Sequence, residues 1–218
     1  MTHSLHREGD REKLNRDFCV FIYPARGFNN KGSGPKVSKL FEIYYANEPS
    51  NCSSTSLRQN LYSEVTPEEM LEAIRRDADS ARAYATFDSR EKVKNLLIQM
   101  KEANLGISIM VSGMIDKVRE IAAEAGLAPH TINLSLGVHG RTDRLPPADI
   151  RQFTTMCGHA VVAPNLVRQA IRRVKTGKRT TWEASLELAK PCACAIFSPH
   201  RSQEQLRELA PLYTVSRW

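Results

Sequence analysis

The stretch from Arg82 to Val138 reads RAYATFDSREKVKNLLIQMKEANLGISIMVSGMIDKVREIAAEAGLAPHTINLSLGV and decides the fold class predicted for this chain. Three β-prone runs, at residues 82–87, 106–111 and 131–138, alternate in it with two amphipathic helical patterns. Strands that alternate with such helices favour β-α-β units and a mainly parallel sheet. The sequence therefore predicts an α/β fold with a βαβαβ core. A ferredoxin-like sandwich is the alternative, because the elements between the strands are short.

The rest of the chain is organised around this core. The apolar run Phe18–Tyr23 predicts a buried strand of the same sheet, so the α/β core spans residues 18–138. Residues 1–17 are charged and contain no apolar segment, which predicts a solvated leader rather than a secretory signal. Residues 139–218 show helical patterns and irregular loops, and they predict a helical appendage that carries cysteines and histidines and packs on the core.

Composition and cysteine count limit the classes of protein to be considered. No apolar run approaches the roughly 18 residues of a membrane-spanning helix, so no membrane partner is expected. The five cysteines are odd in number and irregularly spaced, which favours reduced thiols in the cytoplasm over a disulfide framework. Cys52 lies in the polar segment 48–56, which predicts a surface loop and a cysteine without a ligand role. The net charge of +7 and the pI near 9.3 favour anionic partners.

Four residues, Cys157, His159, Cys192 and Cys194, form the predicted metal site. Thiolate and imidazole are the usual ligands of zinc, and thiolates hold iron–sulfur clusters. The side chains of Cys192 and Cys194 point to the same side of an extended backbone, because they are two positions apart. Three thiolates favour a [4Fe–4S] cluster with one iron left open. The alternative is a tetrahedral zinc site with three cysteines and a histidine, for which His159 is the strongest candidate.

Known metal motifs do not match this pattern. The chain has no Cys-x-x-Cys pair, and the zinc deaminase signature requires a Glu where Val161 stands and a longer gap between the two cysteines. His139 and His200 are the weaker imidazole candidates for the same site. The competing interpretation is that these cysteines are small buried residues of an apolar core.

A glycine-rich loop after the first strand is the first candidate anion site. Its spacing matches half of a P-loop, but Ser33 stands where the lysine is required, so a nucleoside triphosphatase is rejected. Arg26 and Lys31, with the backbone N–H groups of Gly32 and Gly34, remain candidates for binding a phosphate or a carboxylate. A flexible surface loop is an equally good interpretation.

Two further loops are expected at the same edge, because ligands bind at the carboxyl ends of parallel strands. The loop at Ser112 is expected to contribute to anion binding. The loop that begins with His139 and contains Arg141 is predicted to supply catalytic residues.

These patterns predict a cytoplasmic iron–sulfur or metal enzyme that acts on a small anionic substrate, with the open metal site as the Lewis acid. The alternative is a zinc-stabilised adaptor that binds nucleic acid or protein through the basic helical pattern at residues 167–178. A nucleic-acid partner is less favoured than a small anionic substrate, and assembly into a homo-oligomer is left open. A third possibility is a metal-free domain.

Overall fold

A four-stranded sheet lies at the centre of the computed structural model, which describes residues 4–214. The strands are β1 (Phe18–Tyr23), β2 (Asn51–Ser54), β3 (Ala83–Phe87) and β4 (Ser108–Ser112). They are hydrogen-bonded in the order β2-β3-β1-β4, and every neighbouring pair is antiparallel.

The predicted mainly parallel sheet is therefore wrong. Strands β1 and β2 do run in the same direction with a helix between them, but β3 lies between the two. In the same way, β1 lies between β3 and β4. The alternation of strands and helices along the chain does not specify which strands are neighbours in the sheet. Pairing between strands that are distant in sequence decides the strand order. The strand order and the antiparallel pairing are compatible with the ferredoxin-like alternative.

The third β-prone run, residues 131–138, is not a strand in the structure. Its apolar side chains alternate as a strand requires, but Leu134 is 64% exposed and Leu136 is 88% exposed. Conversely, the polar segment that predicted a surface loop contains the buried strand β2, and Cys52 is buried in it. Both errors have one cause, since strand formation depends on a hydrogen-bonding partner as well as on the local pattern.

Helices cover both faces of the sheet and make a three-layer structure. After the short helix α1 (Arg11–Leu14), the first layer contains α2 (Gly34–Ala46), α3 (Pro67–Arg76), α4 (Arg90–Ala103) and α5 (Ile115–Glu124). Phe18, Val20 and Ile22 of β1 pack in the core of this layer. Helix α3 begins with a capping box formed by Thr66 and Glu69.

The predicted C-terminal helices form the second layer. They are α6 (Ala148–Thr154), α7 (Pro164–Lys175), α8 (Thr181–Ala189) and α9 (Pro199–Leu212). Cys19 and Phe21 of β1 pack against them, so β1 is buried on both faces, which explains its unbroken apolar sequence. None of the described helices is long and apolar enough to cross a membrane.

Candidate metal site

The second helical layer brings the four predicted metal ligands together. Cys157 and His159 lie in the loop between α6 and α7, and Cys192 and Cys194 lie in the loop between α8 and α9. The Sγ atoms of Cys192 and Cys194 are 3.7 Å apart, and Cys194 Sγ is 3.4 Å from His159 Nδ1. The Cys192 and Cys194 side chains also hydrogen bond with the Cys157 sulfur. We call these four residues the thiol cluster.

Hydrogen bonds within the cluster couple the ionisation of its three thiols. Hydrogen bonds with Cys192 and Cys194 lower the pKa of Cys157, and the backbone N–H groups of His159 and Val161 act in the same direction. The same hydrogen bonding with Cys157 raises the pKa of Cys192, and it raises that of Cys194 to about 12. The three sulfurs therefore titrate as one coupled group, not as independent thiols.

Side chains from β2, from β3 and from Asn60, which follows β2 in the chain, hold the loop that carries Cys192 and Cys194. They donate hydrogen bonds to its main-chain carbonyl groups: Asn60 Nδ2 to Ala189 O (3.1 Å) and Cys192 O (2.9 Å), Ser53 Oγ to Ala193 O, Thr86 Oγ1 to Ala195 O (2.8 Å) and Asn51 Nδ2 to Phe197 O (3.3 Å). The N–H groups of Cys192, Ala193 and Ala195 donate to main-chain carbonyl groups within the chain. The backbone N–H of Ile196, by contrast, bonds to the Cys194 sulfur.

Both ligand-bearing loops contain a residue in an unfavourable backbone conformation. Ala160 follows His159 and has a φ of 56°, and Ala195 follows Cys194 and has a φ of 53°. This left-handed region is sparsely populated by residues other than glycine, and such strain is concentrated at functional sites. The surrounding structure therefore holds each of the two loops in a strained backbone conformation.

Residues of the predicted leader also contribute to this region. Arg7 is only 6% exposed in its side chain, and it donates one hydrogen bond to Ile196 O (2.9 Å) and one to Cys19 Sγ (2.8 Å). Asp17 binds both Arg7 (2.9 Å) and Arg201 (2.8 Å). Part of the segment predicted to be solvated is thus packed beneath the thiol cluster.

The structure does not bring the predicted anion-binding residues together. Because β1 and β4 are antiparallel, the loop after Tyr23 and the loop at Ser112 lie at opposite ends of the sheet. Arg26 and Lys31 are exposed. Ser112 Oγ lies 3.4 Å from Ser4 O at the other end.

The backbone N–H groups proposed as an anion cradle have partners within the chain. Gly32 N–H donates to the carboxylate of Asp79 (2.8 Å), and Gly34 N–H donates to Ala78 O (3.0 Å). A bound anion would have to displace the carboxylate of Asp79. The geometry of this loop therefore adds no support to its role in anion binding.

The two predicted catalytic residues lie in the exposed segment that precedes α6. His139 Nε2 is 2.9 Å from Leu136 O, and Arg141 forms a salt bridge of 2.9 Å with Asp143. Each of these contacts is local. The structure adds no substrate-binding feature around either residue, and their catalytic role remains a prediction.

His200 has partners other than the thiol cluster. Its ring hydrogen bonds to the carboxylate of Asp88 and stacks on Trp182, with ring centroids 5.3 Å apart. This hydrogen bond lowers the pKa of Asp88 from 3.8 to about 2, against the effect of burial. The pair fixes the start of α9 against the end of β3.

We expect the ion pair of Asp88 to make stability depend on pH. The folded-state pKa of Asp88 lies below its unfolded value, so the ionised carboxylate stabilises the fold above pH 3.8, and this contribution is lost as the pH falls to about 2. Urea unfolding of the wild type and Asp88→Asn should show a difference in midpoint that shrinks over this interval. A difference that stays constant from pH 6 to pH 2 would contradict this expectation.

Basic residues of α7 and of the segment that follows it are engaged with neighbours. Arg173 and Arg179 form salt bridges with Glu187 at 2.9 and 2.8 Å. Lys175 donates to main-chain carbonyl groups near the end of α9. These contacts leave a smaller cationic surface than the sequence indicated, and nucleic-acid binding remains an untested alternative.

Comparisons with protein families, with curated proteins and with solved structures found no match to this chain.

Proposed function

We propose that the protein binds a single thiophilic metal ion, with zinc the best-matched ion, through Cys157, Cys192 and Cys194, and that His159 occupies the fourth position. The distances between ligand atoms carry this proposal. Ligands of a tetrahedral zinc ion, with Zn–S near 2.3 Å and Zn–N near 2.0 Å, have sulfurs about 3.8 Å apart and sulfur and nitrogen about 3.5 Å apart. The corresponding distances in the thiol cluster are 3.7 Å and 3.4 Å.

Binding would require some rearrangement of the side chains. Among residues 4–214, no three or more His, Cys, Asp and Glu side chains are already arranged to hold a metal ion. The sulfurs meet as hydrogen-bonded thiols, and small side-chain rotations would turn them toward a shared centre. Loss of protons from the thiols accompanies metal binding in such sites.

A single ion is supported over the [4Fe–4S] cluster favoured by the sequence. In a cubane cluster each cysteine binds a different iron, so its sulfurs are further apart than ligands that share one ion. The short distance between Cys192 and Cys194 supports the shared ion. Both ligand loops also have backbone N–H groups at their sulfurs, which would stabilise thiolates around either centre.

The exposure of the ligands supports a reactive position at His159. Cys157 and Cys192 are buried, Cys194 is half-buried and His159 is exposed. An ion held by the three sulfurs would therefore face solvent on the histidine side. Exchange of His159 for a small anionic ligand would give the ion a Lewis-acid role in an enzyme, and retention of His159 would give a closed structural site. All five cysteines are free thiols, which supports a reducing compartment such as the cytoplasm.

Cobalt substitution of the wild type and His159→Ala tests this proposal. The cobalt-loaded wild type should show intense thiolate charge-transfer bands, and the variant should keep these bands because its three sulfurs remain. Added phosphate or carboxylate should shift the ligand-field bands of His159→Ala, since a water would replace the imidazole. Absence of charge-transfer bands in the wild type would contradict the metal site, and unchanged bands on adding any anion would contradict the open position.

A further inference from the structure

We infer that Arg7, held in a buried ion cluster with Asp17 and Arg201, supplies the counter-charge of the metal–thiolate site. The inference rests on the proposed function and names a positioning residue for it. Arg7 lies far from the four ligands in sequence, within a segment that the sequence predicted to be solvated.

The contacts of Arg7 place it beneath the loop that carries two of the ligands. Its Nη2 donates to Ile196 O at 2.9 Å, and Ile196 is the second residue after Cys194. Its Nη1 donates to Cys19 Sγ at 2.8 Å. Burial lowers the pKa of Arg7, but the carboxylate of Asp17 raises it overall, and Cys192 of the thiol cluster is also within electrostatic reach of the guanidinium.

The ion cluster around Arg7 carries an excess of positive charge. Arg7, Asp17 and Arg201 have side chains that are 6%, 2% and 4% exposed. Two guanidinium groups therefore share one carboxylate in a place that water does not reach. Burial raises the pKa of Cys19 to about 11, so this thiol adds no negative charge. One net positive charge remains, and buried charge without a partner is unfavourable.

A zinc ion held by three thiolates and a neutral imidazole carries one net negative charge, because its two positive charges meet three negative ones. This charge matches the excess on the Arg7 cluster. Opposite charges stabilise each other more strongly in a buried region than in water. Arg7 therefore stabilises the metal-loaded site through space and also positions its loop by the hydrogen bond to Ile196 O.

The N-terminal segment contacts the other ligand-bearing loop as well. The backbone N–H of Glu8 donates to Thr155 Oγ1 at 2.9 Å, and Thr155 is the second residue before Cys157. The Glu8 carboxylate binds Arg151 of α6 at 2.8 Å, so this pair is neutral and leaves the charge count unchanged. Arg7 and Glu8 thus connect both loops, and metal binding should order the N-terminal segment.

Zinc affinity of three variants, measured by competition with a chromophoric chelator, tests this role. Arg7→Met removes the charge and keeps an unbranched side chain, and it should bind zinc about 10- to 100-fold more weakly, as changes in residues behind metal ligands do. Arg7→Lys should recover part of the affinity, because the charge remains. Asp17→Asn increases the positive charge and should bind zinc at least as tightly as the wild type.

The different effects expected of Arg7→Met and Asp17→Asn on zinc affinity separate an electrostatic role of Arg7 from a purely structural one. If Arg7 acts only by packing, Asp17→Asn should weaken zinc binding as Arg7→Met does, and that result would overturn the inference. Wild-type affinity in folded Arg7→Met would also overturn it. If the wild type binds no zinc, the proposed function fails instead.

Hydrogen exchange of the wild type keeps the test decisive if the Arg7 variants do not fold. Zinc should slow amide exchange in residues 7–17 and in the two ligand-bearing loops, and it should leave α3 unchanged. Protection of the loops without protection of residues 7–17 would overturn the inference.

Discussion

Cys192→Ser should abolish the stabilisation of this protein by zinc. With free zinc at about a thousand times the dissociation constant, the wild type should gain about 4 kcal/mol of unfolding free energy by mass action. The variant should gain none, because the hydroxyl of serine is a poor ligand for zinc and Cys192 is one of the three sulfurs in the thiol cluster. Urea unfolding with zinc and with excess chelator measures the difference directly.

Cys52→Ser is the matched control for this experiment. Cys52 and Cys192 are both 0% exposed, but Cys52 lies in the core on the opposite face of the sheet. Both variants bury a hydroxyl, so both should be less stable than the wild type in chelator. Only Cys52→Ser should keep the full gain from zinc. An equal gain in both variants would show that Cys192 is not a ligand.

Asn60→Ala should lower the unfolding free energy of the metal-free protein by about 3 kcal/mol. The Asn60 side chain is fully buried and donates to Ala189 O and Cys192 O, and its Oδ1 accepts from the backbone N–H of Tyr62. Alanine would leave these buried groups without their partner, which is the source of the large effect. Zinc affinity should fall as well, because Asn60 holds the loop that carries Cys192.

Asn95→Ala provides the control for the loss of an amide. Asn95 is exposed on α4, where alanine is the better helix former, so stability should be unchanged or slightly higher. Chemical unfolding in the presence of chelator measures both variants. A change below 1 kcal/mol for Asn60→Ala would contradict the role of Asn60 in holding the loop.

Helix positions and the first strand could be predicted because they depend on local patterns. The apolar run Phe18–Tyr23 and the first amphipathic pattern after residue 87 correspond to β1 and α4. Strand direction could not be predicted, since it depends on which strand pairs with β1. Strand β2 was missed because its polar residues Asn51 and Ser53 are buried against the second helical layer.

The candidate site was predicted from residue type more than from spacing. Proximity of Cys157 to the pair at Cys192 and Cys194 depends on the packing of the second helical layer, and the structure brings the three sulfurs together. Arg7 and Asn60 were missed, because a leader rich in charge and a lone asparagine give no local signal of burial. Asn51 and Ser53 are two positions apart, so they lie on the same face of an extended segment. This spacing was a sign in the sequence that a polar face of β2 points toward the loop that carries Cys192 and Cys194.

Metal analysis combined with X-ray absorption of protein purified without oxygen tests the central proposal most directly. We expect about one zinc per chain, three sulfur ligands near 2.3 Å and one nitrogen ligand near 2.0 Å. Protein that is brown and contains iron, with iron neighbours around each iron, would contradict the single-ion site and restore the cluster. Protein without bound metal that also fails to take up zinc would contradict the account as a whole.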